Sequence, residues 1–511
     1  MKRAFHWIVA SLALCLAAPA CAQSPPPPAP VSFTSSGDPG FDAWRDGFAQ
    51  RALAAGRSRQ VVLQVLAGLS PDQRVIDLDR RQPEFVSPVW DYVTRAVSQA
   101  RITQGRARRA ENADLFAQIE NRYGVDADII AGIWAVETNF GTVDIPFDAA
   151  RSIATLAYEG RRRVQFETYL LALLEMVERG YASGNELRSS WAGALGQPQF
   201  MPDVYLSLAV DWDGDGRRDI WGNRGDVFAS VANYLAQRGW RRGEPVFDEV
   251  RLPQGFDYAL ADGQPRPLSD WAARGVRRID GAAFAAPGLS AQLLLLAGAQ
   301  GPALLVYENF QVIKRYNNSD RYALVVALLA RNFENRGGLV AGWPTHLGSL
   351  NRDQILELQT ALNAQGFDSG APDGQFGSRT RAAVRGFQQA RGLPADGFPT
   401  ADLLRQVRAG ASTPAAPPQQ AAQQAQTQPP APVAQEEPPA PRAPTISVAR
   451  VRELQRLLRR LGFDPGPADG AFGSRTSAAI RAFEESAGRR VTGEATQQVL
   501  NAARRAARRR G

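Results

Sequence analysis

The sequence predicts a mainly α protein with one large helical region and two copies of a small helical domain. Apolar residues recur at helical spacing through residues 38–343, and an internal repeat occupies the last third of the chain. Strand signals are weak and confined to Val246–Leu252 and Ala303–Tyr307. At 511 residues, of which 44% are hydrophobic, the chain is long enough for about three domains.

The amino terminus has the pattern of a secretory signal peptide. Lys2 and Arg3 are basic, and the apolar run from Ile8 to Ala18 is too short to span a bilayer. We therefore predict a signal peptide over residues 1–22 and an exported protein. Two processing routes stay open: cleavage before Cys21 with lipid attachment, which would anchor the chain to a membrane, or ordinary cleavage after Ala22.

A Pro-rich tether over residues 23–37 leads into the large helical region, residues 38–343. Consecutive prolines stay extended, so the tether cannot join a core. Short connectors rich in Gly, Pro and Asp separate the periodic segments. The predicted helices are Phe41–Leu53, Gln60–Leu66, Pro88–Ile102, Ala110–Tyr123, Asp128–Val136, Val164–Arg179, Val227–Gln237 and Arg321–Phe333.

Two copies of one sequence follow at a constant offset. The run Phe-Gly-Ser-Arg-Thr, for example, begins at Phe376 and again at Phe472. Each copy has a helical segment, a Gly/Asp-rich turn, a second helix and a last helical stretch. We predict a first repeat over 344–408 and a second over 447–511 with a basic tail, joined by a disordered Pro/Ala/Gln linker over 409–446.

The residue types that are scarce exclude several kinds of chemistry. Cys15 and Cys21 both lie in the signal peptide, and His346 is the only histidine beyond it. Disulfides, catalytic thiols, Ser/His/Asp triads and multi-histidine zinc sites are therefore excluded from the mature chain. Catalysis must use carboxylates, hydroxyls and amides. The net charge of +8 suits an anionic polymer, and export argues against nucleic acid as a partner.

Glu137 is the strongest chemical clue. Ile130, Trp134 and Glu137 fall at i, i+4 and i+7 of a predicted helix, so the carboxyl points where apolar side chains point. Burial there favours the protonated acid, which can donate a proton to a leaving oxygen when a glycosidic bond breaks. Alternatively, Glu137 lies at the helix end and turns to solvent, since Asn139 and Gly141 are typical of a C-terminal cap. Spacing alone leaves both interpretations open.

The repeat resembles the peptidoglycan-binding domain of wall enzymes. The first copy carries Asp-Gly-x-Phe-Gly-x-x-Thr from Asp373 and Ala-Val-x-x-Phe-Gln from Ala383. The second copy departs at Glu484, where Gln is expected, and at Thr492, where Asp is expected. The resemblance implies that peptidoglycan is the partner, with the second copy the weaker match.

Five motifs in residues 38–343 resemble the lytic murein transglycosylase B family. They are Val-Glu-Thr-Asn-Phe-Gly from Val136, Ser-Trp-Ala-Gly-Ala-Leu-Gly-Gln-Pro-Gln-Phe-Met-Pro from Ser190, Asp-Trp-Asp-Gly-Asp-Gly from Asp211, Ser-Val-Ala-Asn-Tyr-Leu from Ser230 and Arg-Tyr-Asn from Arg315. The resemblance implies a lysozyme-like helical fold and a chemistry that needs no cofactor. It implies that Glu137 alone protonates the bond between N-acetylmuramic acid and N-acetylglucosamine, then accepts the proton of the muramic C6 hydroxyl as a 1,6-anhydro ring closes.

The resemblance also implies residues that line a substrate cleft. Their hydroxyl and amide groups would orient Glu137 and bind the N-acetyl groups of the sugars. These residues are Ser190, Gln199, Tyr316, Asn317 and Tyr322. Arg161 and Arg162 are candidates for binding the peptide carboxylates of the substrate. The alternatives are a helix cap at Ser190, core positions for the tyrosines and a solvated arginine cluster.

An acidic loop has the start of a calcium-binding pattern. Acidic residues alternate before the sharp turn at Gly216, whereas Gly222 replaces the glutamate usual at the twelfth position. Calcium binding would therefore require a longer loop, of the kind that the resemblance implies, closed by Asp226. The predicted ligands of a structural calcium ion are Asp211, Asp213, Asp215, the carbonyl of Arg217, and Asp226. A cluster of Asx turns is the alternative.

The sequence as a whole predicts an exported, monomeric lytic transglycosylase of the periplasm, with Cys21 as the candidate for an outer-membrane anchor. Two other functions stay open. One is a hydrolytic muramidase that uses water and a second carboxylate, as ordinary glycosidases do. The other is a non-catalytic scaffold that binds the cell wall.

Overall fold

The computed structural model describes residues 31–80, 88–182, 187–284, 286, 288–411, 447–466, 468, 470, 472, 474–487 and 492–509. The predicted signal peptide with Cys21, most of the Pro-rich tether and nearly all of the linker lie outside these residues. The chain divides into two compact units, Met1–Ala415 and Ala416–Gly511. None of the described helices combines the length and the apolar character needed to cross a membrane.

The first unit is mainly helical and contains both the large region and the first repeat. Its helices are α1 (Pro39–Ala54), α2 (Arg59–Leu66), α3 (Gln73–Arg80), α4 (Val89–Ala96), α5 (Gln99–Glu111), α6 (Ala113–Tyr123), α7 (Ala127–Thr138), α8 (Ala149–Glu159), α9 (Arg163–Glu178), α10 (Pro202–Leu208), α11 (Arg224–Gln237), α12 (Leu268–Ala273), α13 (Glu308–Tyr316), α14 (Asp320–Phe333), α15 (Arg352–Ala364), α16 (Ser378–Ala390) and α17 (Ala401–Ala411). The mainly α class is confirmed.

One predicted helix is wrong in extent. The segment Pro88–Ile102 forms two helices, because the backbone leaves the helical path after Ala96 and Ser98 begins α5. The Ser98 hydroxyl accepts a hydrogen bond from the N–H of Arg101 at 3.3 Å, which satisfies a donor at the new helix start. A serine inside an apolar pattern therefore marked a helix start that periodicity alone missed.

Within the described residues, seven short strands accompany the helices. They are β1 (Phe147–Asp148), β2 (Arg188–Ser189), β3 (Phe247–Arg251), β4 (Arg266–Pro267), β5 (Arg277–Arg278), β6 (Ser290–Leu295) and β7 (Ala303–Val306). The first two form an antiparallel pair, and the others form a sheet in the order β4-β6-β7-β3-β5, antiparallel throughout. The two weak strand signals of the sequence are β3 and β7. The other strands of this sheet were not predicted, because two-residue strands show no periodicity and β6 ends in three consecutive leucines.

The five-stranded sheet separates two apolar cores. Along β7, Leu304 and Val306 face the main helical core, whereas Ala303 and Leu305 face a smaller core on the other side. Successive side chains of a strand point to opposite faces, so a strand buried on both faces is apolar throughout. The sheet thereby joins the helical region to an outer layer that includes α12.

The second unit contains the second repeat. The described part of this unit forms the helices α18 (Val448–Arg460), α19 (Ser474–Ser486) and α20 (Gln497–Arg509). The two departures from the repeat pattern compensate each other here. In the first repeat, the amide of Gln388 donates to Asp396 at 2.7 Å. In the second repeat, Glu484 accepts from the hydroxyl of Thr492 at 2.7 Å. Donor and acceptor have exchanged places, so the same turn is closed.

Candidate active site

Helix α7 places Glu137 at the edge of the main core. Ile130 and Trp134 on the same stripe are buried, and Glu137 itself is half-buried in the last turn. The helix ends at Asn139, which adopts a left-handed conformation with φ 47°. The structure thus combines both interpretations of the sequence: the carboxyl follows the apolar stripe, and the helix end lets it reach the surface.

The partner of Glu137 comes from α14. Tyr322 lies in the first turn of that helix, is only 3% exposed, and donates from its hydroxyl to Oε1 of Glu137 at 2.6 Å. The two helices approach closely because α7 has a glycine at the contact. A methyl group added at Gly132 would lie 2.9 Å from the backbone carbonyl oxygen of Val326 in α14. The helix contact therefore sets the distance between Tyr322 and Glu137.

A second tyrosine lies parallel to the first. The rings of Tyr316 and Tyr322 stack with centroids 6.5 Å apart, and the Tyr316 hydroxyl donates to the carbonyl of Pro198 at 2.6 Å. Burial, and then the charge of Glu137, raise the pKa of both tyrosines well above its usual value. Both hydroxyls therefore stay protonated and act as hydrogen-bond donors, which leaves proton transfer to Glu137.

The loop after β2 packs against α7 through a residue that the sequence analysis missed. The indole N–H of Trp134 donates to Oε1 of Gln197 at 2.6 Å, and the hydroxyl of Thr138 donates to the Gln197 carbonyl at 3.1 Å. The amide of Gln197 in turn donates to the carbonyl of Trp221 at 2.6 Å. Gln197 therefore fixes the loop to α7. It lies in the Ser190 motif, but its contact with Trp134 is formed only in three dimensions.

Two of the predicted cleft residues hold the conformation of this same loop. The Ser190 hydroxyl accepts from the N–H of Ala194 at 3.2 Å. Gln199 has φ 54°, a conformation that is unusual for a residue with a side chain, and its amide donates to the Gly196 carbonyl at 2.8 Å. Such local strain is typical of functional loops whose surroundings hold them in place.

The remaining predicted residues lie in different surroundings. Asn317 is exposed directly after α13, next to Tyr316. Arg161 and Arg162 both pair with the buried carboxylate of Asp79, the latter at 2.6 Å, and Arg161 also pairs with Glu159 at 2.7 Å. The structure thus brings Glu137, Tyr316 and Tyr322 together, whereas the two arginines are engaged with acidic residues of the protein.

The acidic loop brings three carboxylates together. Oxygen atoms of Asp211, Asp213 and Asp226 lie within 4.8 Å of one another, and Asp215 is not part of this group. Burial raises the pKa of Asp226 to about 6, although the N–H groups of Trp212 and Asp219 donate to it. Clustered carboxylate oxygens, one of them buried, are the donors that a hard divalent cation prefers, so these three residues fit calcium.

Comparisons with known proteins agree with this geometry. The family described as the transglycosylase SLT domain matches residues 40–331, more than half of the chain, and the peptidoglycan binding domain family matches residues 351–407 and 447–503. The membrane-bound lytic murein transglycosylase B of Escherichia coli K12 is 29% identical over 299 residues, which cover 54% of this chain and 75% of that protein.

Two solved structures extend the comparison. SltB3 of Pseudomonas aeruginosa, in complex with NAG-anhNAM-pentapeptide, is 46% identical and superposes with a TM-score of 0.70 over 73% of this chain and 100% of its own. The Escherichia coli lytic transglycosylase Slt35, in complex with calcium, is 27% identical with a TM-score of 0.51 over 60% of this chain and 96% of its own. The chain therefore belongs to the transglycosylase SLT domain family and is a lytic murein transglycosylase with two peptidoglycan-binding domains.

Proposed function

We propose that this enzyme cleaves the β-1,4 bond between N-acetylmuramic acid and N-acetylglucosamine and leaves a 1,6-anhydro ring on the muramic residue. The observation that carries the proposal is the hydrogen bond from Tyr322 to Glu137. It holds one carboxyl oxygen of Glu137 in place at the end of α7, beside the loop of residues 190–200. The similar protein SltB3 was solved in complex with NAG-anhNAM-pentapeptide, a ligand that contains an anhydro muramic residue.

One carboxyl group can perform both proton transfers. The protonated Glu137 gives its proton to the glycosidic oxygen, and the bond from that oxygen to C1 of the muramic sugar breaks. The C6 hydroxyl oxygen of the same sugar then bonds to C1, and its proton passes to the Glu137 carboxylate. The glutamic acid is regenerated and no water is consumed. Tyr322 acts as a positioning residue, since its hydroxyl stays protonated.

The hydrolytic alternative needs a second carboxylate. Two acids that follow Glu137 closely in sequence are Asp144 and Asp148. Asp144 is exposed, and Oδ1 of Asp148 accepts from the N–H of Arg151 at 2.7 Å, which caps α8. Asp148 thus caps the start of α8, and this structural role accounts for the residue without a catalytic one. This arrangement favours the single-carboxylate mechanism.

The products distinguish the two mechanisms. We expect purified enzyme to release muropeptides ending in 1,6-anhydromuramic acid from bare peptidoglycan, lighter by one water than hydrolysed products. Mass spectrometry of the soluble fraction measures this difference directly. Products with reducing ends would identify a muramidase, and wall binding without release would identify a scaffold.

We propose a periplasmic location, with glycan strands as the partner and a monomer as the working form. The predicted signal peptide and the peptidoglycan-binding domains support this location. A lipid on Cys21 would add an anchor to the outer membrane.

We also propose that the acidic loop binds a structural calcium ion through Asp211, Asp213 and Asp226, with Asp215 and the Arg217 carbonyl completing the site. Millimolar calcium is expected to raise the melting temperature of the full chain, because an ion that binds only the folded state stabilises it. Calorimetry with and without calcium measures the shift.

An Asp213→Asn variant should lose this calcium response. The matched control is Asp203→Asn, since Asp203 is an exposed acid outside the loop. If Asp213→Asn responds to calcium as the wild type does, or if calcium does not shift the melting temperature of the wild type, the proposed calcium site is refuted.

A further inference from the structure

A cavity of about 220 Å³ lies where the first repeat meets the catalytic region. We call it the interface cavity. Residues 292–295 of β6 and the following Leu296 line it, together with residues of β7, α13, α14 and α16, and the lining is about equally polar and apolar. Its charged lining residues are Lys314, Asp320, Arg381, Arg385 and Asp396. The cavity lies outside the group formed by Glu137, Tyr316 and Tyr322.

Specific contacts build this cavity. Asp396 accepts from the N–H of Ala299 at 2.7 Å, and Arg385 donates to the carbonyl of Ala261 at 3.1 Å. Gly298, with φ 65°, has no room for a side chain, because a methyl group there would lie 2.6 Å from Cβ of Phe398. The first repeat is thus fitted closely onto the turn at Gly298.

The acidic groups in the cavity already have partners. Asp320 pairs with Lys314 at 2.8 Å, and Asp396 accepts from Ala299 and from the amide of Gln388. The basic groups are less well satisfied. Nε of Arg385 is buried without a hydrogen-bond partner among the described residues.

Arg381 is the second under-satisfied cation. Within the described structure, its guanidinium contacts the ring of Phe376 at 5.0 Å and makes no hydrogen bond or ion pair. Burial, and then the neighbouring Arg385, lower the pKa of Arg381. Two adjacent guanidinium groups in a partly buried cavity repel each other. The charges of Asp396 and Asp320 act on Arg381 in the opposite direction, and an anion between the two guanidinium groups would lower the repulsion further.

The second repeat lacks most of this arrangement. Ser477, Thr492 and Glu494 occupy the positions of Arg381, Asp396 and Phe398, and only Arg385 has a counterpart of the same type, Arg481. The arginine pair and the docking acceptor therefore occur together in the first copy and not in the second, although both copies keep the same helices. The fold of the repeat therefore does not require the arginine pair or Asp396.

We propose that the interface cavity binds the terminal carboxylate of a peptidoglycan peptide stem, through Arg381 and Arg385. The identity of the polymer rests on the proposed function. The cavity is smaller than the roughly 300–1,000 Å³ of pockets that enclose a drug-sized ligand, so it suits the end of a peptide rather than a disaccharide. A guanidinium matches a carboxylate in shape and charge, and the leucines at positions 293–296 of the lining suit the methyl group of a terminal alanine.

Calorimetric titration of the full chain with a synthetic stem tetrapeptide ending in D-alanine tests the proposal. We expect saturable binding that weakens at least about tenfold when the terminal carboxylate is converted to an amide, and equally in Arg381→Gln. Arg381→Lys, which keeps the charge, should retain part of the affinity. The matched control is Arg405→Gln, an exposed arginine of the same repeat, which should bind as the wild type does.

The peptide has no glycosidic bond, so its binding is independent of Glu137 and of whether the enzyme lyses peptidoglycan. Equal affinity for acid and amide, or wild-type affinity in Arg381→Gln, would overturn the proposal. Displacement by inorganic phosphate at the same concentration as the peptide would make the cavity a general anion site and would also overturn it. If Arg381→Gln fails to fold, the comparison of acid and amide on the wild type decides alone.

Discussion

Replacing Glu137 with Gln is expected to reduce the release of soluble muropeptides from sacculi by at least about 10³-fold, because one group carries both proton transfers. The fold should be unaffected, since a glutamine oxygen can still accept the hydrogen bond that Tyr322 now donates to Glu137. Sedimentation with sacculi should also be retained, because the two repeats are unchanged. The initial rate of release and the bound fraction measure the two properties separately.

A nearby carboxylate provides the matched control. Asp148→Asn should keep the 1,6-anhydro products and most of the rate, because asparagine can cap α8 as aspartate does. Loss of activity in Asp148→Asn with reducing ends in the wild-type products would instead indicate a second catalytic carboxylate. Rapid lysis by Glu137→Gln would refute the role given to Glu137.

Gly132→Ala is expected to destabilise the catalytic region by about 1–2 kcal/mol and to lower its activity at least about tenfold. The new methyl group would lie 2.9 Å from the Val326 carbonyl, so α7 and α14 must move apart. Overpacking of this kind costs about 1–3 kcal/mol, and the better helix propensity of alanine offsets at most about 1 kcal/mol. Glu137 belongs to α7 and Tyr322 to α14, so the hydrogen bond between them is displaced when the two helices move apart.

A helical glycine without such a contact separates packing from propensity. Gly47 in α1 has as its nearest neighbour only the flexible side chain of Arg51, at 3.4 Å. Gly47→Ala should therefore leave the melting temperature unchanged or raise it, and should keep full activity. Calorimetry and the release assay on both variants test the argument. A Gly132→Ala enzyme as stable and active as Gly47→Ala would show that the contact does not set the site.

The structure also explains why some site residues were recognisable and others were not. Glu137 could be found because its position on an apolar stripe is a property of one helix, visible in consecutive residues. Gln197 could not be found in this way, because its structural role depends on hydrogen bonds to Trp134 and Trp221, which are distant from it in sequence. The pairing of Arg161 and Arg162 with Asp79 was equally hidden, since it joins the start of α9 to α3.

The sequence by itself determined the mainly α class, most of the long helices and the two repeats, because periodicity and repetition are local properties of the chain. Tertiary structure alone decided the strand order of the five-stranded sheet, in which β3 pairs with β7 and β4 with β6 across long stretches of sequence. It also decided how the helix contact at Gly132 brings Tyr322 to Glu137, and how the first repeat meets the catalytic region. These features depend on distances between segments far apart in sequence, and no local pattern specifies such distances.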